Sequence, residues 1–359
     1  MHSLVRHLVR LLLPGALALA CAAVPAGASA EPIKLMMGGM SKIVYLPAVL
    51  AQQLGYFRDA GLEVRILSVP AGIDTSTELI AGAIHGAVGF YDHTIDLQSR
   101  GQDVLSVIVF VRAAGLAELA TTRPRGGVPM QSIDEARGRR LGVTGFGAST
   151  WVLTRYLSTR AGIAPGEYTV VPLASDTRFV DALEHGTIDA GMVEEPTATR
   201  LLSSGAARVL VDLRSVEGTR AQLGGTYVGA CLYLRRSWVL AHRDQTQRLV
   251  QALVRALRYL DTHSAEQVVS ILPDSVTGAD RAGYTRALAL AKPSFSSDGR
   301  MPEDAPQTVL KVLVSNGTGL MARHVDLSRT YTNSFVDGTQ RDVFHWGLQG
   351  STRRRKASG

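Results

Sequence analysis

The chain has 359 residues, a formal net charge of +7 and two cysteines. Most of that charge lies at the termini, where two arginines precede residue 11 and four basic residues occupy 353–356. The body between them is almost neutral, so the charge gives no reason to expect nucleic-acid binding. Residues 351–359 are predicted to form a disordered basic tail. The length exceeds what one hydrophobic core usually serves and predicts two domains.

Residues 1–30 have the composition of a secretory signal peptide. A basic start is followed by an apolar run over 11–23 that is too short to span a bilayer, and by small residues at 28–30 that suit a cleavage site. The mature chain is expected to begin at Glu31 and to reside in the periplasm. A lipoprotein signal cleaved before Cys21 is the less favoured alternative.

Apolar periodicity alternates between strand and helix over residues 33–213. Strands are predicted at 33–39, 62–69, 87–90, 103–111, 139–145, 168–173, 189–193 and 207–213. Helices are predicted at 47–57, 75–84, 95–100, 150–161, 178–185 and 197–204. Such alternation is typical of mostly parallel sheets with right-handed crossovers.

Beyond Trp238 the pattern becomes helical, and no convincing strand follows. Since the extended segment 223–236 closes the second α/β set, the chain is expected to return to the first set there. The predicted fold is therefore α/β and two-lobed, a clamshell with a mostly parallel sheet in each lobe and a helical C-terminal region packed on lobe 1. Lobe 1 is assigned to 31–115 and 228–350, and lobe 2 to 116–227. Crossovers are expected near 112–122 and 222–232.

One phrase occurs twice, at residues 79–94 and 183–197, where Leu, Gly, Ile and a small residue recur at the same spacing. Each copy leads into a short buried strand, and open parallel sheets bind ligands just beyond the carboxyl ends of their strands. The candidate ligand contacts at these ends are Tyr91, Asp92, Glu194 and Glu195.

The residues around the first of these strand ends are expected to differ in role. Phe90 continues the buried alternation of the strand, whereas Tyr91 is expected to stack on a ligand. Asp92 is expected to cap a helix that begins at Thr94, and His93 is expected to lie on the surface.

A third candidate edge follows the strand at 139–145. Its residues Phe146, Gly147, Ala148, Ser149 and Thr150 turn out of the strand into a helix. Ser149 or Thr150 can cap that helix, which leaves free N–H groups to bind an anion. The turn also resembles part of a G-x-G-x-x-G dinucleotide fingerprint, but Thr150 replaces the last glycine and NAD binding is not expected. An ordinary helix cap without a ligand is the simpler alternative.

Three segments together resemble one family, the periplasmic binding proteins of the nitrate, sulfonate and taurine group, which are also similar to thiamin-pyrimidine synthesis enzymes. The resemblance spans about residues 33–240. It is carried by Gly55, Tyr56, Phe57, Gly61, Leu62 and Val64, by Ile133, Gly138, Gly142 and Val143, and by Ala182, Leu183, Gly186, Ile188, Asp189, Ala190 and Pro196. It implies a type II periplasmic binding fold that delivers a small molecule to an ABC importer.

The resemblance also implies contacts in the loop after the first strand, at Gly39, Met40, Ser41 and Lys42. The two glutamates at the second strand end depart from the expected small or aromatic residues. A carboxylate there would repel an anion unless it meets Lys42 or a cationic group on the ligand. Sulfonates, carboxylates and amino-acid-like ligands are therefore expected. A thiamin-pyrimidine-like or other planar heterocycle is the alternative.

Catalytic motifs such as G-x-S-x-G, C-x-x-C and H-E-x-x-H were not found in the sequence. Together with the export signal, this predicts that the protein is not an enzyme and needs no cofactor or metal. Enzymes of the same fold that make the thiamin pyrimidine or dehydrate chorismate remain an alternative, as does a ligand-sensing adaptor. The expected partners are the small-molecule ligand and the permease subunits of the inner membrane. A monomer is expected.

Overall fold

The computed structural model describes residues 31–315 and 320–338. The predicted signal peptide, Cys21 and the predicted basic tail lie outside the described residues. The described residues from Pro32 onward belong to one compact unit, and both sheets lie within it. No helix in the described part of the chain is long and apolar enough to cross a bilayer.

In the part of the chain that the structure describes, ten strands form two five-stranded sheets. Sheet A has the order β2-β1-β3-β10-β4, and sheet B has the order β7-β6-β8-β5-β9. The strands are β1 Ile33–Met37, β2 Val64–Ser68, β3 Gly86–Gly89, β4 Val104–Val111, β5 Leu116–Thr121, β6 Arg140–Val143, β7 Thr169–Pro172, β8 Ala190–Glu194, β9 Ala207–Leu213 and β10 Ala230–Arg235. We call sheet A with its flanking helices the first lobe and sheet B with its flanking helices the second lobe.

Fourteen α-helices surround the sheets in the described residues. They are α1 Leu46–Gln53, α2 Tyr56–Asp59, α3 Gly72–Ala81, α4 Asp92–Ser99, α5 Ser149–Arg160, α6 Asp176–Glu184, α7 Thr197–Ser203, α8 Val216–Leu223, α9 Arg236–Ala241, α10 Arg243–Thr262, α11 Ala265–Ser270, α12 Asp274–Thr277, α13 Arg281–Ala291 and α14 Ala305–Ser315. The predicted helix at 47–57 is divided into α1 and α2, because Gly55 adopts the left-handed conformation (φ 73°) between them.

The two-lobed α/β fold predicted from the sequence is confirmed, but each sheet is mixed. Strands β1 and β6 pair in parallel with both of their neighbours, whereas β10 and β5 are antiparallel to both of theirs. These two strands are the ones with which the chain enters a sheet from the other lobe. The segment 112–122, which was predicted to contain a crossover between the lobes, also contains β5, a strand that was not predicted.

Burial explains the continuous apolar sequence of β4 and the small residues of β3. All eight residues of β4 are buried, which is typical of a strand covered on both faces. In β3, a Cβ on Gly86 would lie 2.8 Å from a methyl group of Leu35 and 3.1 Å from one of Leu232. The small residues of the repeated phrase therefore make room for side chains of the neighbouring strands.

The C-terminal helices contact both lobes, whereas only lobe 1 was expected. Helix α10 packs on α1, α2 and β4 of the first lobe. Helix α13 contacts α7, and α14 contacts α5, which are both helices of the second lobe. These helices lie beside the two connections between the lobes, where they reach surfaces on either side.

Candidate functional site

The loops at the carboxyl ends of the two sheets face each other and form what we call the interlobe cleft. Hydrogen bonds between described residues cross it at three places. The Lys42 ammonium donates to Glu194 Oε1 at 3.0 Å, the Ser149 hydroxyl donates to Asp92 Oδ1 at 2.9 Å, and the backbone N–H of Ile43 donates to the carbonyl of Glu195 at 3.0 Å. Residues that sequence analysis selected separately are thus brought together.

The loop after β1 presents Lys42 to the second lobe. Its turn is closed by the N–H of Lys42, which donates to the carbonyl of Gly39 at 3.2 Å, and Met40 N–H donates to Ser68 Oγ at 3.1 Å. Gly39 has φ 110°, and a Cβ there would lie 3.0 Å from the Lys42 side chain. Glycine at position 39 therefore gives the lysine its path into the cleft. Ser41 lies in the same loop and is partly exposed.

Lys42 and Glu194 form a buried ion pair between the lobes. Only 3% of the Lys42 side chain and 5% of the Glu194 side chain are exposed. Asp176 Oδ1, at the start of α6, lies 4.0 Å from the same ammonium. Burial acts to lower the pKa of Lys42, but Glu194 and Asp176 together raise it above the ordinary value. The lysine is therefore charged at neutral pH.

Glu194 has an incompletely satisfied carboxylate. Its Oε1 accepts from Lys42, whereas Oε2 is buried and has no hydrogen-bond partner among the described residues. Burial raises the pKa of Glu194 above its ordinary value, although the Lys42 charge opposes that shift. A buried oxygen without a donor is a free-energy cost that a ligand donor can remove.

The Glu195 carboxylate, which was assigned as a ligand contact, is hydrogen-bonded by groups of its own lobe. Its Oε1 accepts from Arg214 Nη1 and from the Thr199 hydroxyl, both at 2.9 Å, and its Oε2 accepts from the N–H of Thr199 at 2.9 Å. Both carboxylate oxygens are thus occupied within the second lobe. The carbonyl of Glu195 contacts the first lobe, where it accepts from the N–H of Ile43.

Tyr91, which was expected to stack on a ligand, is fully buried. Its hydroxyl hydrogen-bonds to the Thr330 hydroxyl in the C-terminal segment. Burial raises the pKa of this phenol well above its ordinary value. Tyr91 therefore joins the C-terminal segment to the strand end at the base of the cleft.

Asp92 does not cap a helix at Thr94, because α4 already begins at Asp92 and Tyr91 is its N-cap. The Asp92 carboxylate instead accepts from Ser149 across the cleft and from the Tyr227 hydroxyl at 2.7 Å. Burying a carboxylate requires such donors. Asp92 therefore connects the first lobe, the second lobe and the returning connection.

His93 is 4% exposed, so its prediction as a surface residue is wrong. A Cβ on Gly72, at the start of α3, would lie 3.8 Å from His93 Nε2 and 3.6 Å from the Tyr45 hydroxyl. The pKa of Tyr45 is raised well above its ordinary value, first by burial and then by the charge of Glu194. Tyr45, Gly72 and Asp176 had no distinct sequence signal, since their positions depend on how the loops meet.

The turn after β6 differs from its predicted form. Helix α5 begins at Ser149 with Ala148 as N-cap, and no side chain caps it. The Thr150 hydroxyl accepts from the N–H of Thr144 at 3.0 Å instead. The N–H groups of Ser149 and Thr150 donate no hydrogen bond within residues 31–315 and 320–338. The predicted side-chain cap is therefore absent, and the first-turn N–H groups that were predicted to bind an anion have no acceptor among the described residues.

Phe146 is 61% exposed and packs edge-on against Trp151, with ring centroids 6.3 Å apart. Gly147, next to it, has φ 80°, and a Cβ there would lie 3.6 Å from Ile73 of the first lobe. Phe146 thus lies at the rim of the cleft and Gly147 faces the opposite lobe. No group of three or more His, Cys, Asp or Glu side chains suited to a metal ion occurs in the described residues.

Comparison with known proteins places these features in a family. Residues 42–266 match the family model described as NMT1/THI5 like, which covers more than half of the chain. A solved structure from Bordetella bronchiseptica RB50 is 27% identical, with a TM-score of 0.81 over 86% of this chain and 96% of that one. The alkanesulfonate-binding protein SsuA from Xanthomonas axonopodis pv. citri, bound to MOPS, is 20% identical, with a TM-score of 0.64 over 81% and 96%. The predicted type II periplasmic binding fold is thereby confirmed.

Curated relatives have a different description. The 4-amino-5-hydroxymethyl-2-methylpyrimidine phosphate synthase of Aspergillus parasiticus is 23% identical over 332 residues, which are 87% of this chain and 89% of that protein. These relatives contradict the prediction that the chain is not an enzyme. That prediction rested on the motifs of unrelated enzyme families and on the export signal, and neither tests for a reaction specific to this fold.

Proposed function

Because the chain belongs to the NMT1/THI5-like family, we propose that it is the substrate-binding component of an ABC importer. It captures a small organic anion, such as a sulfonate, carboxylate or amino-acid-like solute, in the interlobe cleft. It then delivers the solute to the permease subunits of the inner membrane. The signal-like residues 1–30 direct it to the periplasm.

The observation that carries the proposal is the meeting of two strand-end edges across one cleft, with bonds between the lobes at Lys42–Glu194 and Ser149–Asp92. Contacts of this kind exist only when the lobes are together, so a solute that touches both edges shifts the population toward the closed arrangement. The division into lobes at 31–115 with 228–350 and at 116–227 belongs to the same proposal. Strand β5 begins at Leu116 and β10 at Ala230, which supports it.

The anionic group of the solute is bound by the first turn of α5. Its free N–H groups and the positive end of the helix dipole favour negative charge. The loop that contains Gly39, Met40, Ser41 and Lys42 forms the facing wall. Phe146 lies at the rim, where it covers the entrance.

A thermal-shift screen with alkanesulfonates, carboxylates, amino acids and pyrimidines tests the function. A solute that binds only the folded protein raises the unfolding midpoint by mass action. Native mass spectrometry of the freshly purified protein provides a second route to a solute that stays bound. If neither method finds a bound small molecule, the binding function is rejected.

The role of α5 is tested with a matched pair at position 149. Proline is tolerated at the first position of a helix, and Ala148 already has the extended conformation (φ -72°, ψ 156°) that precedes proline. Ser149→Pro removes both the N–H and the hydroxyl, whereas Ser149→Ala removes only the hydroxyl. We expect Ser149→Pro to weaken binding of the anionic hit by about tenfold more than Ser149→Ala, since a hydrogen bond to a charged group contributes about 1.5 kcal/mol or more. Equal calorimetric affinities would exclude the N–H from the site.

An enzymatic reaction on a pyrimidine is the second candidate, and the names of the curated relatives favour it. A chorismate-type dehydration or a ligand-sensing adaptor role has no such support. Incubation of the protein with each hit of the screen, followed by mass spectrometry of the small molecules, separates the two candidates. Product formation favours the enzyme, whereas recovery of the unchanged solute favours the binder.

A further inference from the structure

The Lys42 ammonium lies on two carboxylates that belong to the opposite lobe. It is 3.0 Å from Glu194 Oε1 at the end of β8 and 4.0 Å from Asp176 Oδ1 at the start of α6. Lys42 itself comes from the loop after β1. The cation and the two carboxylates therefore lie on different lobes, which are linked covalently only through the connections between the lobes. The ammonium of a bound solute could occupy the same position without such a link.

The carboxylates have more acceptor capacity than Lys42 uses. Glu194 Oε2 is buried, and within residues 31–315 and 320–338 no donor reaches it. Two acidic groups share one ammonium, and the longer contact, to Asp176, is beyond hydrogen-bond distance. A further N–H donor at Glu194 would satisfy an oxygen whose burial otherwise has a cost.

We propose that Glu194 and Asp176 form a cation subsite of the cleft, which the protein's own Lys42 fills in this structure and which a primary ammonium group of the solute can take over. The inference rests on the proposed solute-binding function and narrows it to solutes that carry such a group. When the solute binds, its ammonium replaces the lysine ammonium on Glu194. Lys42 is then released toward the anionic end of the solute or toward water.

The alternative, an anion that pairs with Lys42 and displaces Glu194, is disfavoured by the same geometry. It would leave Glu194 with neither oxygen hydrogen-bonded inside the closed cleft, and a buried carboxylate without a partner is strongly unfavourable. A primary ammonium has three donors on one compact centre, which suits Glu194 Oε1, Glu194 Oε2 and Asp176 together. A quaternary ammonium has the charge but no donor.

Chemical rescue tests the subsite without knowledge of the natural solute. In Lys42→Ala the cation is missing, and butylammonium supplies the same group on an untethered chain. Spin labels on cysteines introduced at the exposed positions Thr77 of α3 and Thr177 of α6 report the distance between the lobes. Cys231 is buried, and burial raises the pKa of its thiol to about 12, so it should resist labelling.

We expect the labelled parent protein to give one short distance and Lys42→Ala to lose it. Butylammonium should restore the short distance, whereas tetramethylammonium and butanol at the same concentration should not. Adding Glu194→Gln should abolish the rescue. Glu195→Gln is the matched control and should preserve it, because that neighbouring carboxylate is bound to Arg214 and Thr199 instead.

Two results overturn the subsite: no restoration by butylammonium, or equal restoration when Glu194→Gln is present. If Lys42→Ala does not fold by circular dichroism, Lys42→Met keeps the packing of the aliphatic chain and takes its place. A solute that raises the unfolding midpoint of the parent protein while rescue fails leaves the solute-binding function intact and rejects only the subsite. Absence of any hit, with rescue observed, would instead reject the solute-binding function.

Discussion

Two buried glutamates of the second lobe have opposite surroundings. Glu194 lies at the cleft edge of sheet B and pairs with the Lys42 ammonium of the first lobe. Glu118 lies in the interior, in β5, with 0% exposure, where its Oε2 accepts from the Thr154 hydroxyl at 2.7 Å. No donor in the described residues reaches its Oε1. One carboxylate is buried with a cation from the other lobe and one is buried without a cation.

The difference shows how partners decide the charge of a buried group. Burial without a cation raises the pKa of Glu118 to about 8, so its carboxyl is mainly neutral at pH 7. Burial also raises the pKa of Glu194, but Lys42 opposes that shift. The interior carboxyl of Glu118 is therefore neutral and packed within its lobe. The charge of the Glu194 carboxylate depends on whether the lobes are together, because its cation comes from the other lobe.

The largest expected effect is the pH dependence that Glu118 imposes on stability. The folded pKa of about 8 lies above the ordinary value of 4.5, so the folded state retains a proton that the unfolded state releases. The contribution of this carboxyl to stability is complete below pH 4.5 and is lost as the pH rises to about 8. The Glu118→Gln side chain stays neutral at every pH. We expect the free energy of unfolding of the variant minus that of the parent protein, measured in urea, to increase by about 4 kcal/mol between pH 5 and pH 9.

The control for this pH profile is Glu217→Gln, which changes an exposed glutamate of α8. Its free energy of unfolding should follow that of the parent protein across the same range. A parent profile parallel to that of Glu118→Gln would mean that Glu118 titrates as an ordinary carboxyl and that the contrast with Glu194 is absent.

A second effect concerns Glu195, the neighbour of Glu194 that is paired inside its own lobe. Arg214→Met removes the guanidinium from a carboxylate that is only 2% exposed. Losing one partner of a buried pair should lower the free energy of unfolding by about 3 kcal/mol at pH 7. Urea denaturation measures it, with Arg220→Met as the control, because the Arg220 side chain is 58% exposed and its pair with Asp304 should contribute about 0.5 kcal/mol. Similar losses for both variants would refute the distinction.

The smallest expected effect on stability is that of the hydrogen bond from the Thr154 hydroxyl to Glu118. Thr154→Val removes that hydrogen-bond partner and should lower the free energy of unfolding by about 1 kcal/mol at pH 6, where the carboxyl is neutral. Thr159→Val, at an exposed position of the same helix, is the control and should change it by less than about 0.5 kcal/mol. Equal changes would mean that the Thr154 bond contributes no net stability.

Much of the fold was predictable because it depends on local pattern. Strand β9 agrees with its predicted bounds, and the ends of the helices mostly shift by one to three residues. Helix α8 and strand β5 were not predicted. The sequence of β5, LAELAT, contains a glutamate and two alanines and has weak strand propensity. Its position between β8 and β9 buries it, so the tertiary structure decides that it is a strand.

The candidate site was predictable in place but not in detail. Strand ends of an α/β sheet indicate where a ligand binds, which brought Asp92, Ser149 and Glu194 into the prediction. Lys42 entered the prediction through the family resemblance. Sequence could not distinguish Glu194 from Glu195, since adjacent residues of a strand end differ only in which side they face. The Glu195 carboxylate is bound by Arg214, which follows the end of a different strand, β9.

The sequence by itself determined the alternation of strand and helix, the two-lobed α/β class and the residues available at each strand end, because these depend on periodicity and on the order of segments. Only the tertiary structure decided the directions of β5 and β10 and the partner of each buried charge. Lys42 and Glu194 are 152 positions apart in the chain. No local pattern encodes such a contact, since it forms only where two separately folded edges meet.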